Sequence, residues 1–125
     1  MMFRFEKLEV WHRAVQLADE IYALTRTFPQ DERFGLTSQI RRSAISVSSN
    51  IAEGCGRSSD RDFAHFLEIA YASLMEVVSQ LRISLRQSLI DEAKHNSLYR
   101  AAEELARMLS GLRSSLIRPS PPAKS

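Results

Sequence analysis

At 125 residues, 44% hydrophobic and 26% charged, the chain has the make-up of one soluble globular domain that buries roughly two-thirds of its unfolded surface. Its longest apolar runs are short, so neither a membrane-spanning helix nor a signal-peptide core is expected. The single cysteine, Cys55, excludes an intrachain disulfide and fits a reducing cytoplasm, and a formal net charge of +2 is by itself weak ground for a nucleic-acid partner.

Four amphipathic segments follow the helical period, and nothing alternates as a strand. The first runs from about Leu8 to Thr27, with Val10, Trp11, Ala14, Leu17, Ile21 and Leu24 on its apolar stripe; Pro29 and Asp31 break it. The second, about Phe34 to Glu53, has a narrow stripe of Leu36, Ile40, Ala44, Val47 and Ile51, with Gly54 positioned to turn left-handed after the helix end. Ser59 with Asp62 marks the start of the third, about Asp60 to Ser88, whose stripe includes Phe63, Leu67, Ala70/Tyr71, Leu74 and Leu81. Asp91 caps a fourth that continues through Leu98, Leu105 and Leu109 to Leu116. Short links predict an all-α, antiparallel up-down-up-down four-helix bundle over residues 1–118. The proline-rich tail, 119–125, lies outside it and is expected to be disordered.

The second segment departs from helical convention. Between Glu32 and Arg57 it carries five serines (38, 43, 46, 48, 49), no lysine and the adjacent pair Arg41 and Arg42. Serine hydroxyls compete for backbone hydrogen bonds and lower helix propensity, so this helix must be held by its neighbours. Its charge is also distinctive: residues 33–61 hold five basic and two acidic side chains, whereas residues 1–32 hold four basic and six acidic. Of the 17 basic residues 14 are arginine, the better bidentate phosphate ligand.

Candidate chemistry must be weighed against plainer roles. Two Glu-x-x-His pairs, Glu9…His12 and Glu92…His95, raise the question of a di-iron site. They fall in the first turns of antiparallel helices, on the order of 30 Å apart, so no metal is expected. His65 with Glu68 reads as a surface pair, no serine or cysteine has a recognisable histidine partner, and no cofactor is implied. Gly54-Cys55-Gly56-Arg57 follows a helix rather than a strand and lacks the lysine of a nucleotide-binding loop. Two readings of that turn stand: a phosphate contact near Arg57 and Arg61, or a helix-helix turn with Arg57 paired to Glu53. Arg41 and Arg42 point about 100° apart. They serve either nucleic-acid backbone contact, with Arg33 secondary, or ion pairs to Glu20, Glu68 or Glu76. Asn50 and Glu53 are expected to organise the helix-two exit, and the second helix lacks the interleaved aromatics of a single-strand stacking surface.

Several segments carry a family resemblance: Leu8-Glu9-Val10-Trp11, Phe28-Pro29, Phe34-Gly35-Leu36-Thr37-Ser38-Gln39-Ile40-Arg41-Arg42-Ser43-Ala44, and Ser49-Asn50-Ile51-Ala52-Glu53-Gly54 with Gly56-Arg57. On these the chain resembles the four-helix-bundle family of 23S rRNA intervening-sequence proteins, from Phe5 to about Leu116. The family often has proline where this chain has Ser48, an aromatic residue at Cys55, and Gly-Ser at Ala72-Ser73. The resemblance implies a homopentamer, a relation to the accessory variability determinant of diversity-generating retroelements, and no enzymatic activity. The function expected is that of a non-enzymatic oligomer binding RNA, or RNA and DNA, through backbone phosphates. The alternative is a scaffold that docks a reverse transcriptase or ribosomal protein.

Overall fold

The computed structural model describes residues 2–118; the proline-rich tail lies outside the described residues. Four long helices account for most of them: α1 (Glu9–Thr25), α2 (Leu36–Cys55), α3 (Asp60–Arg86) and α4 (Glu92–Ile117). Short 3-10 turns at Arg4–Lys7 and Gln30–Glu32 lead into α1 and α2, and no strand occurs among the described residues.

Each helix packs on its chain neighbours, and α1 closes the ring against α4. Neighbouring residues give the directions. Arg41, early in α2, meets Thr25 at the end of α1, and Gly54, late in α2, lies against Phe63 and Phe66, early in α3. Glu68, early in α3, pairs with Arg113 late in α4, and Leu24, late in α1, lines one groove with Lys94 and Leu98, early in α4. Every neighbouring pair is therefore antiparallel, the up-down-up-down bundle the apolar periods predict. Its core is formed by one stripe from each helix, including Ile21, Ile40, Val47, Leu74, Leu81 and Leu105, all nearly inaccessible to water.

The ends of the helices show why they stop. Ser59 Oγ accepts from Asp62 N at 3.1 Å and Asp91 Oδ1 from Lys94 N at 2.7 Å, so each occupies an otherwise orphaned donor of α3 or α4. At its other end α3 stops at Arg86, two residues before the predicted limit, because Ser88 turns left-handed (φ 62°). Leu89 N then donates to Ser84 O and Ser88 N to Leu85 O, the crossed bonds of a Schellman motif without its usual glycine.

One expectation about α2 needs correction. The helix continues to Cys55, so Gly54 is an interior, buried helical residue, and no glycine among the described residues has a positive φ. Glycine is required there for space: a Cβ on Gly54 would lie 2.6 Å from the Phe66 Cβ and 3.0 Å from Phe63 Cδ1. Asn50 Nδ2 donates to Ser46 O (2.8 Å) and Ser46 Oγ (3.0 Å).

Packing against α3 explains how a helix of weak propensity persists. Ser43 Oγ donates back to Gln39 O at 2.9 Å and Ser48 Oγ to Ile45 O at 3.0 Å, the local bonding that lets hydroxyls sit inside a helix. Ser46 instead spans the seam to Ser73 Oγ at 2.8 Å. Small side chains on this face let α3 come close, and α2–α3 is the most extensive seam in the bundle.

Candidate nucleic-acid interface

The turn before α2 and the first turns of α2 pack against the end of α1, and there the chain collects arginine and aromatic side chains. A groove of about 450 Å³ is lined by Tyr22, Arg33, Phe34, Thr37, Ser38, Arg41, Arg42 and Ile45. Arg41 is half-buried and fixed: its Nε donates to Thr25 Oγ1 at 2.7 Å, and its guanidinium lies 4.5 Å from the Tyr22 ring centroid. The Thr25 hydroxyl is in turn held by donating to Ile21 O at 2.8 Å. Arg33 lies over the Phe34 ring at 4.8 Å, and Arg42 is exposed. The Thr37 hydroxyl is buried in the groove wall without a hydrogen-bond partner.

Neither Arg41 nor Arg42 makes the ion pairs considered for it. Among the described residues Glu68 pairs with Arg113 and His65, and Glu76 accepts from Ser43 Oγ at 3.2 Å. No carboxylate of a described residue bridges Arg33, Arg41 or Arg42. The groove thus presents cationic groups whose neighbours are aromatic rings and hydroxyls.

The five candidate arginines do not form one patch. Arg57 and Arg61 lie beyond the far end of α2, separated from Arg42 by about 20 Å of helix axis. Arg57 is engaged there, 3.1 Å from Glu53 and 4.6 Å from the Phe66 ring centroid, which is the helix-helix-turn arrangement. Arg61 is exposed beside Asp60 and Asp62, whose charges disfavour an anion at that helix start. The last carbonyl of α2, Cys55 O, receives Arg4 Nη1 at 3.4 Å.

The two histidines of the Glu-x-x-His pairs have separate neighbours. His12 Nε2 contacts Glu6 O at 2.6 Å, whereas His95 is buried with Nδ1 3.2 Å from Asn96 Oδ1. Among the described residues no group of three histidine, cysteine or acidic side chains is placed to hold a metal, and no helix is long and apolar enough to cross a membrane.

Sequence reasoning missed the aromatic contribution to the groove. Phe34 belongs to the turn and Tyr22 to α1, so neither appears as an aromatic period within α2. The available signal was the position of Tyr22 near the end of one antiparallel helix and of Arg41 near the start of the next.

The pattern of the family described as "23S rRNA-intervening sequence protein" matches residues 6–111, which takes in all of α1, α2 and α3 and most of α4. The chain belongs to this family. A protein of unknown function from the S23 ribosomal protein family of Bacteroides thetaiotaomicron VPI-5482 has a similar crystal structure, with TM-score 0.76 and 25% identity. The alignment covers 88% of this chain and 99% of that one. No curated protein matches the sequence. The arginine–aromatic groove of this 23S rRNA-intervening sequence protein lies wholly within the matched residues.

Proposed function

We propose that this protein binds RNA, or RNA and DNA, through backbone phosphates, as a non-enzymatic cytoplasmic homopentamer. The observation that carries the reading is the groove in which Arg33, Arg41 and Arg42 converge with no carboxylate bridging them among the described residues. Guanidinium groups left without acidic partners suit phosphate, which they bind in bidentate fashion. Such contacts position a strand without reading its sequence. Arg57, paired with Glu53, and Arg61, flanked by Asp60 and Asp62, lie outside this contact, and Asn50, Glu53 and Gly54 belong to the packed end of α2.

Fluorescence anisotropy with labelled RNA and DNA across a salt series tests it. Affinity should fall steeply as salt rises, and replacing Arg41 and Arg42 with alanine should weaken binding to many sequences alike. Negligible binding at low salt, or binding indifferent to salt, would sink the proposal.

A second reading, a scaffold docking a reverse transcriptase or ribosomal protein, draws on a different face. Between α3 and α4, Tyr71, Met75 and Tyr99 are partly exposed along a shallow groove of about 330 Å³. That reading expects a protein partner to co-purify after nuclease treatment.

A further inference from the structure

Phe34 is 85% exposed, the most exposed large apolar side chain among the described residues. It stands on the groove rather than at a frayed terminus, and Arg33 lies over one face of its ring at 4.8 Å. With so much of the ring accessible, its other face is open. The second aromatic of the groove, Tyr22, is already occupied by Arg41 at 4.5 Å, so Phe34 is the ring available to a ligand. Arg42 and Ser38 line the same groove.

We infer that the groove takes single-stranded nucleic acid, with an unpaired base stacked on the open face of Phe34 and an adjoining phosphate held by Arg42. The inference rests on the phosphate-contact reading and adds which form of nucleic acid is selected. Every base has a π-face, so stacking on an exposed ring is tolerant of sequence. In a duplex those faces are hidden within the stack, leaving only phosphates, sugar hydroxyls and base edges to a protein. Arginines alone would serve duplex and single strand alike. A bare aromatic ring braced by a guanidinium beside them serves only the unpaired strand.

The probes are a labelled strand of about 12 nucleotides, as uridine RNA and as thymidine DNA, a base-free strand of the same length, and a mixed-sequence duplex of matching length. At least one of the two single strands should bind roughly tenfold or more tightly than the duplex. Phe34→Ala and Phe34→Leu should each weaken that single strand roughly tenfold while leaving the duplex, the base-free strand and the salt slope unchanged. Arg42→Ala should weaken all of them and reduce the salt slope. Equal affinity for single strand and duplex with Phe34→Ala neutral overturns the inference, while an Arg42 effect in that experiment leaves the phosphate-contact reading standing. Absence of binding to every probe at low salt defeats both. Light scattering and circular dichroism should show Phe34→Ala with unchanged mass and helicity; a changed mass would make Phe34 a subunit contact and overturn the inference.

Discussion

A Cβ on Gly54 would lie 2.6 Å from the Cβ of Phe66, so α2 and α3 touch almost backbone to backbone where the second helix ends. The obstruction is the root of a side chain rather than its flexible tip, and rotamer change cannot relieve it. Gly54→Ala is therefore expected to destabilise the fold by about 1–2 kcal/mol, overpacking outweighing the better helix propensity of alanine. Gly111 of α4 has nothing within 4 Å of the same added atom. There Gly111→Ala should stabilise by roughly 0.5–1 kcal/mol. Urea denaturation of both variants measures the contrast, and destabilisation by both or by neither would refute the packing account.

Ser88 holds a left-handed conformation at the end of α3 that costs a non-glycine residue roughly 1–2 kcal/mol. Ser88→Gly removes that cost while losing some entropy in the unfolded chain, for a net gain of about 0.5–1 kcal/mol. A thermal midpoint that falls instead would show that the Ser88 side chain has a stabilising role of its own.

Arg41 and Arg42 should separate stability from binding. Removing Arg41 eliminates the Thr25 hydrogen bond and the Tyr22 stack, so Arg41→Ala is expected to cost about 1–2 kcal/mol of folding free energy. Arg42 is exposed, and Arg42→Ala should leave stability within about 0.5 kcal/mol of the parent. Its effect should instead appear in binding, as a reduction of roughly 0.7–0.9 in the slope of log affinity against log salt. Denaturation and anisotropy on the two single variants make the comparison.

Met75 tests assembly through the α3–α4 face. It is 40% exposed between Tyr71 and Tyr99, so Met75→Asp leaves the monomer core intact. An unpaired charge buried in a subunit contact costs about 2–5 kcal/mol, enough to shift a pentamer toward monomer in light scattering. An unchanged mass would exclude this face as a subunit contact.

Much of the architecture is legible along the chain. The apolar periods locate all four helices, and Ser59 and Asp91 cap α3 and α4 as their positions imply. Errors arise where a role depends on a residue from another helix. Gly54 resembles a helix-ending residue until Phe63 and Phe66 are placed against it. Ser46 Oγ, which takes a bond from Asn50, also meets Ser73 Oγ across the seam, a link that no spacing within α2 reveals. Tyr71, read as part of the apolar stripe of α3, is exposed while Ala70 is buried, because the bundle covers only part of that face.

The candidate site divides in the same way. Sequence alone locates the basic surplus in residues 33–61 and its concentration in arginine, because charge and residue type are properties of the chain. It also determines the bundle, since helical periodicity is local and short links force neighbours to run antiparallel. Only the tertiary structure decides that Arg33, Arg41 and Arg42 share a groove with Tyr22 and Phe34 while Arg57 is drawn to Glu53 and Phe66 at the other end. Those are contacts between elements, set by which side chains the packing brings within a few ångströms, and spacing along one helix carries no record of them.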